Sequence, residues 1–129
     1  MIGTNKNVTE DGYSKDSCKP FREILGLIGD KWSIILISIL EDGTKRYSQI
    51  QKDLREISPR ILSLKLRELE RCGLVFREVE PTVPPSVFYS LTDLGKSLLI
   101  HTKNIIRWVE ENQYKIEQAN VDFNKLNLK

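Results

Sequence analysis

The side chains with the most obvious chemistry in this chain are cations and hydroxyls. Between Thr44 and Arg77 there are nine Lys/Arg and four Asp/Glu, a net of +5, although the whole chain carries only +2. A basic segment on a mildly acidic body is an electrostatic footprint for phosphate. Within it, Arg60, Ser63, Leu64, Arg67 and Arg71 fall on one side of a helical pattern, with Lys65 to one side. Leu62, Leu66 and Leu69 recur at i, i+4 and i+7 on the other side, flanked by Ile61. Arginine can hold guanine O6 and N7 with two hydrogen bonds, and an apolar side chain can touch a thymine methyl. Arg60 and Ser63 are therefore expected at base edges, with Leu64 beside them or packed on a neighbouring element. Lys45, Arg46, Ser48, Gln49 and Ser58, with Pro59 next to it, are candidates for phosphate, helped by helix N-terminal N–H groups. Arg67, Arg71 and Arg77 lie further along and are assigned to phosphate or solvent. On an isolated helix the same pattern would be a solvated basic face.

The remaining reactive residues do not assemble into a catalytic or metal site. Cys18 and Cys72 are far apart, and one histidine, His101, has no C-x-x-C or second ligand to join it, so neither a disulfide framework nor a metal centre is expected. Gly26 and Gly29 lack phosphate-loop spacing, and nothing forms a nucleophile–base pair. We expect no enzyme and no cofactor. Cys18 has a physical case as a redox sensor: a helix N-terminus and the neighbouring Lys19 both lower a thiol's pKa. Small buried packing is an equal alternative for Cys18. It is the favoured one for Cys72, which sits at the negative end of its helix.

The elements that must position the basic residues are marked by their own signals. Ser48 with Gln51 has capping-box spacing and predicts a short helix. After a break at Glu56-Ile57, Ser58-Pro59 reads as an N-cap with proline at the first helical position, and Gly73 as the left-handed stop. Two capped helices so closely joined predict a helix-turn-helix. Leu74–Glu80 and Ser86–Leu91 are β-prone, and Pro81–Pro85 cannot be a central strand, so together they read as a hairpin with a proline-rich tip. A hairpin directly after a recognition helix is the wing of a winged helix. Upstream, the pattern predicts a helix over about Pro20–Ile28, with Phe21, Ile24, Leu25 and Ile28 on one side. A nearly all-apolar helix follows over Lys31–Glu41, and a short strand over Thr44–Tyr47. Downstream, Thr92-Asp93 caps a long helix whose apolar positions approach a heptad seam, with Thr102 and Asn112 in the gaps. Its length favours pairing with a second subunit over packing on its own domain.

At 129 residues, 40% hydrophobic and 29% charged, the chain reads as one globular domain. We divide it into a flexible arm over 1–16, the domain proper over 17–117, and a tail over 118–129 that is helical or frayed. Without a signal-peptide layout or an apolar run long enough to span a membrane, it is expected in the cytoplasm. The fold class is α+β, mainly α: a winged helix-turn-helix with terminal helices for dimerisation.

Several stretches, taken in order, carry a more specific message. They are Cys18 before a helix, Ile28-Gly29-Asp30-Lys31-Trp32, Lys45-Arg46-Tyr47-Ser48-Gln49-Ile50 and Ile57-Ser58-Pro59-Arg60-Ile61-Leu62-Ser63. Leu66-Arg67-Glu68-Leu69-Glu70, Gly73-Leu74-Val75, Val83-Pro84-Pro85, Tyr89 to Gly95 and Trp108 complete the set. Their combination resembles the HxlR family of winged-helix regulators, relatives of the MarR group, over about Cys18 to Trp108. The resemblance implies a homodimeric transcription factor, a repressor or an activator, that binds a pseudo-palindromic DNA site. Its N- and C-terminal helices would make the dimer, and an electrophile, oxidant or small molecule would act as effector. The chain departs from the family pattern in three places. Lys19 stands between Cys18 and Pro20, Leu64 replaces a commonly polar residue, and Ser86 stands where arginine often follows the two prolines. The competing class is a winged-helix module for protein contact or DNA architecture; the net +5 of the helix-turn-helix segment argues against it.

Overall fold

The computed structural model describes residues 15–127, with side chains from Pro20 onward. These residues form α1 (Lys15–Ile28), α2 (Lys31–Ile39), β1 (Lys45–Arg46), α3 (Tyr47–Asp53), α4 (Pro59–Arg71), β2 (Val75–Glu80), β3 (Ser86–Leu91) and α5 (Asp93–Asn127). The sheet is antiparallel in the order β1-β3-β2. Its register pairs Val75 with Leu91 at the base and Glu80 with Ser86 at the tip. The β2–β3 hairpin is the expected wing, and β1 closes its inner edge through Lys45–Tyr89 and Arg46–Phe88.

The core gathers where the elements' apolar stripes meet. Leu62, Leu66 and Leu69, the i, i+4, i+7 set of α4, are all fully buried. Each contributes roughly 1.5–3 kcal/mol by leaving water. They face Leu36 and Ile37 of α2, Leu40 just after it, and Ile50 of α3. Asp30 caps α2, accepting hydrogen bonds from the N–H groups of Trp32 (3.0 Å) and Ser33 (3.3 Å).

Three boundaries differ from the sequence expectation. α1 begins at Lys15, five residues before Pro20, so the end of the arm assigned to 1–16 is helical. Residues 1–14 lie outside the described part. α2 tightens at Leu40–Asp42 into a 3-10 turn instead of running to Glu41, and Gly43 follows with φ 124°. α3 starts at Tyr47, so Ser48 is inside the helix and the capping box with Gln51 does not form. Arg46 is the N-cap instead, because β1 pairing with β3 holds it extended (φ −75°, ψ 144°) up to the point where the helix begins. Of the two alternatives left open for the tail, helical or frayed, the described residues show helix, with α5 continuing to Asn127.

The beginning of α5 belongs to the domain's own core. Thr102 is buried; its hydroxyl accepts from Ser38 Oγ at 2.9 Å and donates to the Leu99 carbonyl at 3.0 Å. Thr102 is thus an intramolecular contact with α2 rather than a gap in an intersubunit seam. Lys103 forms an ion pair with Glu41 in the 3-10 turn that follows α2. Beyond Lys103, Ile105, Trp108, Val109 and Ile116 are exposed.

Candidate nucleic-acid interface

The exposed face of α4 and the inner face of the wing enclose an open cleft of about 790 Å³. α4 is held in place at both ends. Ser58 Oγ accepts from the Ile61 N–H at 3.2 Å, and Pro59 occupies the first turn where its missing N–H costs nothing. At the other end Gly73 adopts φ 74°; its N–H reaches the Glu70 carbonyl (2.9 Å), and the Leu74 N–H reaches that of Leu69 (3.0 Å). This is the paired-bond Schellman stop, and it sends the chain directly into β2.

Of the residues singled out from the sequence, Arg60, Ser63, Leu64, Arg67 and Arg77 line this one cleft. Leu64 is 49% exposed and stands beside Val87 of the wing, open to a ligand rather than buried against the hairpin. Arg71 is exposed at the last turn of α4 and does not line the cleft. Ser48 and Gln49 are exposed on the first turn of α3. Lys45 and Arg46, on β1, are already engaged. Lys45 Nζ pairs with Asp53 at 3.2 Å, while Gln49 Nε2 donates to the other oxygen of the same carboxylate at 3.0 Å. Arg46 Nη2 donates to Ser86 Oγ at 2.7 Å. Ser86, where the family pattern often has arginine, thus anchors an arginine supplied by β1. Lys65 is tied at 3.6 Å to Asp30 and 3.5 Å to Glu68, which fixes it on the side of α4 away from the cleft.

Besides Val87, three polar residues of the cleft escaped the sequence reading. The Tyr47 hydroxyl lies 3.0 Å from Ser63 Oγ and donates to the Pro59 carbonyl at 3.3 Å, strapping α3 to the first turns of α4. No local sequence signal marks this role, because the hydroxyl's partners lie twelve and sixteen residues away in the chain. Tyr89 is buried at the cleft floor, and burial pushes its phenol above its ordinary value of 10.0 despite a hydrogen bond from Arg77. Glu70 lies near Tyr89 in the same cleft and supplies a negative charge that a count of basic residues hides. The Arg77 guanidinium is therefore positioned by Tyr89 at the wing's base and opposed by Glu70.

The backbone of Cys18 lies in the first turn of α1, but its side chain falls outside the described ones. Cys72 is the half-buried C-cap residue of α4, with a free thiol. Among the described residues, no group of three or more His, Cys, Asp or Glu could hold a metal ion, and no helix is long and apolar enough to cross a membrane.

The chain that builds this helix pair, cleft and wing matches a family model, the HxlR-like helix-turn-helix, over residues 27–117. The chain belongs to that family. It is 41% identical over 111 residues to the Bacillus subtilis HTH-type transcriptional regulator YdeP, covering 82% of this chain and 84% of that protein. Among solved structures it is similar to the transcriptional regulator ytfH of Salmonella typhimurium, at a TM-score of 0.75 and 32% identity over 78% of this chain and 90% of that one. It is also similar to the redox regulator HypR in its reduced form, at 0.69 and 40% over 78% and 99%. Like its relatives, this HxlR-type chain is a DNA-binding transcriptional regulator of the helix-turn-helix class and not an enzyme.

Proposed function

We propose that this regulator binds a pseudo-palindromic operator as a homodimer, each subunit laying α4 in the major groove and its wing along the flanking backbone. The observation that carries the reading is the cleft itself. Arg60, Ser63 and Leu64 occupy the exposed first two turns of a doubly capped helix, where a groove-bound helix reads bases. Arg60 is assigned to a guanine, Ser63 to a base edge or phosphate, and Leu64 to a thymine methyl. Ser48, Gln49 and the α3 N-terminus, with Ser58, Pro59 and the α4 N-terminus, are assigned to phosphates. Arg67 and Arg77 also line the cleft and are assigned to the DNA backbone. Lys45 and Arg46 contribute charge from β1, Lys45 at the expense of its pairing with Asp53. As a regulator of genomic DNA the protein acts in the cytoplasm.

Dimerisation is assigned to α1 and α5, on which Ile24, Leu25, Trp108 and Ile116 are exposed. The likeness to a redox regulator supports an oxidant or electrophile as effector, with Cys18 as the candidate thiol. Footprinting on DNA selected from fragmented genomic DNA tests the whole reading. The expected result is two protected half-sites about one helical turn, or a small multiple, apart; a single asymmetric half-site would refute the dimeric mode. A Cys18→Ser protein that still releases DNA on diamide treatment would remove Cys18 as sensor.

A further inference from the structure

DNA binding leaves two features of the described residues without a role. One is an apolar groove of about 450 Å³ between α1 and the start of α5, lined by Ile24, Ile28, Cys72, Leu74, Leu94 and Leu98, with Ser97 and His101 beside them. Half of the surface of Ile24 and 56% of that of Leu94 face solvent there. The other is the far end of α5. The family match stops at residue 117, yet the helix continues to Asn127 and carries Phe123 and Leu126 at 63% and 74% exposure. Two large apolar side chains on a solvent-facing helix end are costly unless something covers them.

The geometry points to these being two halves of one contact: in the homodimer, α5 of one copy runs antiparallel along α5 of the other and sets Phe123 and Leu126 into its groove. The inference rests on the dimer reading above and specifies its register. Three observations carry it.

The first is spacing. Val109, Asn112, Ile116, Ala119, Phe123 and Leu126 follow one another in steps of 3, 4, 3, 4 and 3, which is the seam of a two-helix coil. In the subunit itself this seam is uncovered apart from the half-buried Asn112. The second is length. α5 spans Asp93–Asn127, so full antiparallel overlap puts its last turns opposite its first. Leu126 then faces Leu94, and Phe123 faces Ser97 and Leu98, which is where the groove lies. A parallel pair would leave both grooves open and both helix ends bare. The third is polarity. Asp122, on the same face as Leu126, arrives within about one turn of His101 on the other copy, an acid beside the groove's one imidazole. The helices cross near residue 110, where the two Asn112 side chains come within about a turn of each other. A lone asparagine pair in an apolar seam penalises other registers.

The contact is tested on the full chain carrying Ser97→Cys and Phe123→Cys, with Cys18 and Cys72 replaced by serine. The new pair is separated by ~39 Å along a single helix, so no disulfide can close within one copy. Mild oxidation should give a covalent dimer on a non-reducing gel, and neither single-cysteine chain should cross-link to itself. In parallel, Phe123→Ala with Leu126→Ala should weaken dimerisation about a hundredfold by sedimentation equilibrium, because symmetry repeats each loss in both grooves. A wild-type dimer with no Ser97→Cys/Phe123→Cys cross-link, and unchanged affinity after the double alanine substitution, overturns this contact and leaves the dimer standing. Self-cross-linking of Phe123→Cys alone overturns the antiparallel register. A wild-type protein that sediments as a monomer at tens of micromolar removes the dimer and this contact together.

Discussion

Gly95 offers the sharpest test of how the dimer helix is joined to the DNA-binding unit. It lies in the first turn of α5, where ordinary helix energetics favour replacing it. Alanine at a helix position is better than glycine by roughly 0.5–1 kcal/mol. The structure predicts the reverse. A Cβ on Gly95 would stand 2.1 Å from the Leu74 carbonyl oxygen and 3.2 Å from Leu91 Cδ2, where ordinary contact begins near 3.4 Å. The obstructing atom is backbone and cannot rotate away. The Leu74 carbonyl accepts the Thr92 N–H at 3.2 Å, and the Thr92 hydroxyl donates to the Gly73 carbonyl at 2.5 Å, so the whole α5 entry is laced to the end of α4. Relieving the clash means moving α5 by over an ångström, which breaks that lacing and opens the core at Leu91. Overpacking of this kind costs ~1–3 kcal/mol, and more where backbone must shift. Set against the propensity gain, Gly95→Ala should destabilise by about 2–3 kcal/mol. For a chain of this size that lowers Tm by roughly 6–12 °C, read by circular dichroism at one fixed protein concentration. The affinity for operator DNA should fall with it, because α5 sets where the two α4 helices sit. A Gly95→Ala protein with Tm at or above wild type would show that the start of α5 shifts freely past Leu74 and Leu91, and the predicted clash would be refuted.

Other consequences are more local. Arg60→Ala should relax base preference at one position by ~1–3 kcal/mol, whereas Lys45→Ala should weaken all sequences alike and lower the salt slope by about 1; equal losses on specific and random DNA for Arg60→Ala would end its base-reading role. The Tyr89 phenol is raised by burial, so the neutral form is the one the fold favours. Its contribution is fully present below pH 10 and is lost as pH rises through the folded value. Wild type should therefore lose Tm more steeply above pH 10 than Tyr89→Phe, and parallel curves would contradict this. Ser33 is buried with its hydroxyl unpaired among the described residues, so Ser33→Ala should be neutral or stabilising by up to about 1 kcal/mol; a clear loss of stability would reveal a partner for that oxygen.

What the sequence made legible follows from which interactions are local. The limits of α4 were readable because Ser58, Pro59 and Gly73 act on their own neighbours in the chain. The wing was readable because proline cannot sit in a central strand. The start of α3 was misplaced for the opposite reason: β1 pairing with β3, some forty residues away, keeps Arg46 extended and overrides the spacing of Ser48 and Gln51. The partners of the basic residues were hidden too, at separations from eight residues to forty. A count of nine cations against four acids treats each charge as free, yet Lys45 is held by Asp53, Lys65 by Asp30, and Arg46 by Ser86. The residues left facing the cleft are fewer than the composition implies, and Arg60 and Arg67 carry a larger share of its positive potential. Tyr47 was invisible as a site residue because its role is to strap α3 to α4 through Ser63 and the Pro59 carbonyl. α5 divides in the same way. Its seam is visible as a period, but only the buried Thr102–Ser38 pair shows where the helix stops serving its own domain and begins to present a surface. That boundary lies just before Ile105, and every large apolar residue beyond it except Ile106 faces solvent.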